Sequence, residues 1–248
     1  LGRFGHVASL GPLLGIAMGF DAINSERNKG TLSRIMSQPI HRDMLLNAKF
    51  AAALIVISAM FFTLSLLVVG LGIFTLGIPP VPEEIWRLVA FNVVIVFYVG
   101  FWLNLSIIFS VRFRQPATSA LAGIAIWLFF AVFFSMLLNL LANALRPSEA
   151  ATTEQVLSYL NFMQFLSRLS PSQLFSDATI TLLVPETNTL NPFLTLDQLA
   201  YSIPGTPLSF GQSLLVVWPQ VTGLFAATLI CFAISYVMFM RQEIRSRS

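Results

Sequence analysis

The sequence predicts an all-α integral membrane protein, and three observations support this fold class: apolar composition, scarcity of charge and long apolar runs. Hydrophobic residues make up 56% of the 248 residues and charged residues only 10%, whereas about a quarter of a soluble domain is charged. Largely apolar runs of roughly 20 residues, the length that crosses a bilayer as a helix, recur along the chain. Most of this surface cannot face water, so we expect one membrane-embedded domain over residues 1–248.

Five of these runs are long enough to be transmembrane helices. They lie at residues 7–23, 50–76, 88–111, 118–141 and 213–240. A charged segment at residues 25–49 separates the first two runs, and a long segment at residues 142–212 precedes the last. We expect both segments to lie outside the membrane, on opposite sides.

Lysine and arginine predict the orientation, because they are retained on the cytoplasmic side of short loops. With residues 25–49 inside, the ten basic residues inside are Arg27, Lys29, Arg34, Arg42, Lys49, Arg112, Arg114, Arg241, Arg245 and Arg247. The four outside are Arg3, Arg87, Arg146 and Arg168. This excess predicts a cytoplasmic C-terminus for a chain that we expect to be a multi-pass protein of the plasma membrane.

In this orientation Leu1 is external. A cleaved signal peptide and a further span upstream are both consistent with such a start. We expect the further span, since six helices would place both termini in the cytoplasm.

The first run carries a stripe of small residues. Gly11, Gly15 and Gly19 are spaced by four and share one helix face, which lets another helix approach closely in lipid. The stripe either packs within one subunit or forms a subunit or gating interface, and Pro12 could add a kink. Asp21, at the inner end of the run, is interpreted as a boundary residue that reaches the headgroups.

The charged segment begins with helix-start signals. Ser25 can cap a helix, and Glu26 in the first turn suits the positive end of the helix dipole. The apolar face that follows is formed by Leu32, Ile35 and Met36, while Arg27, Lys29 and Arg34 point largely elsewhere. This pattern predicts a short amphipathic helix around residues 26–37 on the inner membrane surface.

Pro39 ends that helix, because the residue before a proline disfavours helical geometry. Arg42 and Asp43 then restart a helix that passes through Lys49 into the next span. On periodicity alone, the segment could be a simple interfacial anchor that ties two spans together.

Residue identity goes further, because the segment resembles the signature of type-2 ATP-binding-cassette (ABC) transporter permeases, the exporter-type membrane subunits. The resemblance rests on Glu26, Arg27, Gly30, Thr31, Leu32, Pro39, Ile40, Arg42 and Lys49. In that family six helices are usual, and the segment after the second is a coupling helix that docks on a separate ATPase subunit. The five runs here correspond to helices two to six, so the sequence departs from the pattern by lacking the first.

The resemblance implies a partner ATPase, which would bind ATP and Mg²⁺ in place of this chain. It also implies a second permease subunit, as a homodimer or heterodimer. The residues expected to couple to the ATPase are Glu26, Arg27, Gly30, Thr31, Leu32, Arg34, Ile35, Met36, Pro39 and Arg42. A non-transporting membrane scaffold or assembly factor that binds an extracytoplasmic partner is the alternative function.

The external segment at residues 142–212 is expected to contain two amphipathic helices. The first, over 154–169, places Val156, Leu157, Leu160, Phe162 or Met163, and Leu166 at helical spacing. The second follows Pro171, with Ser172 as its cap, and carries Leu174, Phe175, Ala178 and Leu182. We expect both helices to rest on the outer interface or on the partner subunit, as a structural cap or as an exit gate.

The sequence offers no catalytic constellation. It contains neither a P-loop nor an H-E-x-x-H motif, so no catalytic residue is assigned. Cys231 is the single cysteine, and His6 and His41 fall on opposite sides of the membrane, so we expect no disulfide and no metal site. The basic residues lie beside apolar runs instead of forming an aromatic-interleaved stripe, which argues against nucleic acid.

Polar and aromatic residues within the runs leave two interpretations open. Asn92, Asn104 and Asn139 either bond to neighbouring helices or contact a substrate. The phenylalanines either fill gaps and face lipid or line a path for a lipid-like substrate; they are Phe61, Phe62, Phe129, Phe130, Phe133 and Phe134.

Overall fold

The computed structural model describes residues 2–31, 41–147, 152–184 and 208–241, and in these ranges the chain is helical without strands. The helices are α1 (Gly2–Gly19), α2 (Asn24–Asn28), α3 (Arg42–Leu76), α4 (Pro82–Arg112), α5 (Pro116–Leu128), α6 (Phe134–Ala144), α7 (Thr153–Ser167), α8 (Pro171–Leu183) and α9 (Phe210–Met240). The π-helical segment Phe129–Phe133 joins α5 to α6. The prediction of an all-α membrane protein is confirmed.

Four stretches of the described chain are long and apolar enough to cross a membrane: Asp43–Leu76, Pro82–Arg112, Pro116–Ala144 and Phe210–Met240. They contain the predicted spans at 50–76, 88–111, 118–141 and 213–240. The first predicted span, 7–23, is not among these four stretches. Helix α1 occupies Gly2–Gly19 instead and includes the polar residues Arg3 and His6. The chain then turns at residues 20–23 instead of continuing as helix.

The start and end of α3 follow from local backbone chemistry. His41 is extended, and the helix begins at Arg42 and runs through Lys49 into the apolar part, as the sequence predicts. It ends where Gly77 adopts the left-handed conformation, with φ of 70°, and donates its N–H to Ile73. Residues 42–49 are therefore continuous with a membrane span.

The chain divides into two compact units, the first formed by Leu1–Pro79, Ile95–Trp127 and Leu224–Ser248. Its largest fully buried side chains include Tyr98 and Trp102 on α4. Asn104 on the same helix is buried, and its amide donates to the Thr228 carbonyl on α9 at 3.3 Å. For Asn104 this geometry matches the first interpretation of the intramembrane asparagines, bonding to a neighbouring helix, whereas the Asn92 amide donates to the Leu88 carbonyl of its own helix.

The second unit consists of Pro80–Val94 and Leu128–Gly223, and α8 is largely buried within it. Leu174, Phe175, Ala178 and Leu182 are at most 6% exposed. The prediction that this helix rests on the outer interface or on a partner subunit is therefore wrong. A predicted apolar face can be satisfied by the chain itself, and sequence periodicity cannot distinguish the two cases.

The cap predicted for α8 is also wrong. Ser170 occupies the N-cap position without a side-chain bond, Pro171 takes the first helical position, and Ser172 lies inside the first turn. Proline is favoured at that position because its missing N–H would have no helical partner there. The preceding helix, α7, begins with a capping box in which Thr152 and Gln155 bond to each other's backbone N–H groups.

A buried arginine organises one end of the second unit. Arg87 is 6% exposed, and its guanidinium donates to Ser213 Oγ at 3.0 Å and to the carbonyls of Leu182 and Leu208 at 3.1 and 2.6 Å. Glu83 completes the set through an ion pair of 2.8 Å. Arg87 thus satisfies groups on α4, α8 and α9, a role that the charge count alone did not indicate.

Candidate functional site

Helix α1 and the start of α2, where the charged segment predicted for coupling begins, are attached to α4 by two serine hydroxyls. Ser106 Oγ donates to the Ile16 carbonyl at 3.1 Å. Ser110 Oγ accepts the N–H groups of Ile23 and Asn24 at 2.9 and 3.2 Å, at the point where α2 begins. A hydroxyl from 86 residues away therefore supplies the acceptor that a capping side chain would normally provide.

Ser25 does not cap α2, contrary to the prediction. Its hydroxyl donates to the Asp21 carbonyl at 2.5 Å, four residues earlier. The helix ends at Asn28, and Gly30 follows with φ of 70°. Because the backbone turns left-handed there, the continuous helix predicted around residues 26–37 is wrong at Gly30, although Thr31 is helical again.

Glu26 is the centre of the described part of the segment. Its carboxylate accepts a hydrogen bond from Thr31 Oγ1 and another from Lys49 Nζ at 3.0 Å. These two bonds, with that from Thr31 the larger influence, hold the pKa of Glu26 below its usual range. The contact connects α2 to the start of α3, and so brings together three residues of the sequence signature.

Five further residues of the predicted coupling set, Leu32, Arg34, Ile35, Met36 and Pro39, lie outside the described residues. Arg42 is described at its backbone, as the first residue of α3. Their role in coupling stays a prediction.

The glycine stripe of α1 lies against α4. A Cβ added to Gly15 would stand 2.7 Å from the Val99 carbonyl oxygen, and one added to Gly19 would stand 2.8 Å from the Leu103 carbonyl oxygen. Gly11 continues the stripe, with its added Cβ 3.2 Å from a Val99 methyl carbon. The two backbones therefore approach so closely that the middle and last of these positions have no room for a side chain.

A cavity of about 630 Å³, which we call the basic cavity, lies beside α2. Its lining is Arg27, Val111, Arg112, Phe113, Arg114, Met238 and Arg241. The Asn28 amide donates to the Arg114 carbonyl at 2.9 Å and ties α2 to this wall. Three basic segments that the charge count assigns to one side of the membrane thus meet at one place.

Two of the phenylalanines in the predicted spans line an apolar cavity of about 510 Å³. Phe129 and Phe133, from the π-helical segment, share this cavity with Met136, Leu137 and Leu140 of α6. No feature of the residue pattern predicts the wider π turn at this point. In the part of the chain that the structure describes, no three His, Cys, Asp or Glu side chains are grouped to hold a metal ion.

Comparison with known proteins agrees with this architecture. No curated protein matched the chain. The family described as ABC-2 family transporter protein matches residues 4–244, a range that includes nearly all of α1, α2, the Glu26–Lys49 contact and the four apolar spans of the described chain. Since the match covers nearly the whole chain, the protein belongs to the ABC-2 transporter family, as a multi-pass membrane subunit of an ABC transporter.

Proposed function

We propose that this subunit is the permease of an ATP-driven exporter and that residues 25–49 receive force from a separate ATPase subunit. The observation that carries this proposal is the Glu26 contact with Lys49 and Thr31. It attaches the segment with the family signature directly to a membrane-spanning helix.

The connections of α2 suggest how force would reach the membrane. Ser110 holds its first residues to α4, Asn28 bonds to the turn after α4, and Glu26 bonds to α3. A push on α2 would therefore act on two spans at once. Since α1 packs backbone to backbone against α4, α1, α2 and this part of α4 would move together.

ATP binding and hydrolysis, with Mg²⁺, belong in this proposal to the partner ATPase. Closure of an ATPase pair would displace α2, and the spans of two permease subunits would open a path outward. The export direction and the permease dimer come from the resemblance to type-2 permeases. The cytoplasmic placement of α2 and of the C-terminus is supported by the excess of basic residues and by their convergence at the basic cavity.

Copurification tests the proposal. The tagged full-length chain, extracted in mild detergent from its native membrane, should recover a protein with a P-loop ATPase sequence and ATP hydrolysis. Recovery of an intact, folded permease without any ATPase would contradict the proposal and favour the scaffold alternative.

A further inference from the structure

We propose that the basic cavity binds the phosphate group of an anionic phospholipid. This inference goes beyond the transport function and does not depend on the identity of the ATPase or of the substrate. It rests on the charge of the cavity, its apolar wall and its place at the ends of two membrane spans.

The cavity concentrates positive charge that has no carboxylate partner among the described residues. Arg27, Arg112, Arg114 and Arg241 all line it. The ion pairs in the described ranges are Lys49 with Glu26 and Arg87 with Glu83, and neither involves these arginines. Arginine is well suited to phosphate, because its planar guanidinium donates two parallel hydrogen bonds to two oxygens.

The remaining lining is apolar. Val111, Phe113 and Met238 share the cavity with the guanidinium groups. A free phosphate ion would gain nothing from such a wall, whereas a phospholipid would place its phosphate on the arginines and its glycerol and first methylenes on the apolar side chains. The volume of about 630 Å³ lies in the range of small-molecule sites.

The cavity lies at the ends of two membrane spans, where phospholipid headgroups are present. Arg112 is the last residue of α4, and Arg241 directly follows the last residue of α9. Both helices are long and apolar enough to cross the membrane, so their charged ends lie at the level of the lipid headgroups. Basic pockets between spans at that level are known to bind acidic headgroups.

Native mass spectrometry of the purified full-length chain, titrated with phosphatidylglycerol or with phosphatidylcholine of the same acyl chains, tests the proposal. We expect phosphatidylglycerol to bind more tightly, and Arg112→Gln and Arg241→Gln each to weaken it about fivefold. Arg146→Gln is the matched control, since this exposed arginine carries the same charge but does not line the cavity. Equal binding of the two lipids, or unchanged binding in both cavity variants, would overturn the proposal.

Two further arms identify other ligands. Displacement of phosphatidylglycerol by millimolar inorganic phosphate would reassign the cavity to a free anion and overturn the lipid assignment. Variants that keep lipid affinity but lose the copurifying ATPase would show that the arginines bind the partner protein, which also contradicts the proposal. Weakened lipid binding with normal ATPase recovery is the supporting result.

Discussion

At the scale of single residues, the Glu26 carboxylate is the group with the clearest testable role. We expect Glu26→Gln and Lys49→Gln each to lower permease-stimulated ATP hydrolysis, because each removes the ionic contact between α2 and α3. The loss of stability should stay below about 1 kcal/mol, since Lys49 is partly exposed and water screens the pair. ATPase assays in proteoliposomes and thermal unfolding in detergent measure the two effects.

Arg146→Gln is the matched control, because Arg146 is exposed, lies outside the coupling segment and forms no ion pair with a described residue. The lowered pKa of Glu26 sets the sign of the pH dependence: its contribution to stability is present above the ordinary carboxyl pKa and is lost as pH falls through the lower native value. If all three variants show equal permease-stimulated ATP hydrolysis, the Glu26–Lys49 contact has no role in coupling.

For Asp177 on α8 we expect the opposite pH dependence of stability to that of Glu26. Burial raises its pKa from 3.8 to about 6, although Gln173 donates to it at 2.7 Å. The native state keeps a proton that the unfolded state releases, so stability should fall as pH rises from about 4 to about 6. Asp177→Asn should remove this fall and raise the free energy of unfolding at pH 7.5 by up to about 3 kcal/mol.

Thermal midpoints in detergent at pH 5.0 and 7.5 check this expectation. Glu154→Gln serves as control, because that residue is exposed at the start of α7. A drop in midpoint for Asp177→Asn at pH 7.5 would mean that the ionised carboxylate stabilises the native state.

At the scale of elements, sequence periodicity predicted what depends on neighbours along the chain. Four of the five apolar spans and α7 were found close to their predicted bounds, since length, patterning and local caps decide them. The hydrogen bonds of Ser110 to the start of α2 and the burial of α8 depend on residues far apart in sequence. Local sequence periodicity therefore cannot predict them. The glycine stripe lies between these cases: spacing predicted a contact face, but only the structure identified α4 as its partner.

The contact between α1 and α4 makes a sharp prediction. Gly15→Ala should destabilise the protein by about 1–3 kcal/mol, because the new Cβ would stand 2.7 Å from the Val99 carbonyl oxygen and force the helices apart. Gly70→Ala in α3 is the matched control, since nothing lies within 4 Å of its Cβ position; there alanine should be neutral or stabilising. Similar thermal midpoints for the two variants would contradict the close packing.

Gly30 and Gly77 offer a matched pair for testing the turn after α2. Both have φ of 70° and open space around the Cβ position, so alanine at either should cost about 1 kcal/mol of backbone strain. Only Gly30→Ala, in the proposed coupling segment, should lower permease-stimulated ATP hydrolysis. If the Gly30→Ala and Gly77→Ala variants have equal stability and equal ATPase activity, the turn at Gly30 has no role in coupling.

At the scale of the whole molecule, the distribution of basic residues was the most informative feature of the sequence. The basic residues of three separate segments were assigned to one side of the membrane by counting alone, and Arg27, Arg114 and Arg241 do line one cavity. The cavity itself could not be predicted, because its shape depends on how the ends of α4 and α9 pack beside α2. Likewise, counting assigned Arg87 to the external side of the membrane but could not predict that packing buries it in a hydrogen-bonded network.

Orientation in the membrane can be measured directly on this chain because it has a single cysteine to replace. In a Cys231→Ser background, Lys29→Cys and Arg146→Cys place one thiol at each of two exposed positions. A membrane-impermeant maleimide should label the Lys29→Cys variant only in inverted vesicles and the Arg146→Cys variant in intact cells, because the basic excess retains residues 25–49 inside. Labelling of the Lys29→Cys variant from outside would show that the topology is inverted and that a cytoplasmic ATPase could not reach α2. Labelling of both variants from the same side would instead show that the number of membrane crossings between the two positions is even.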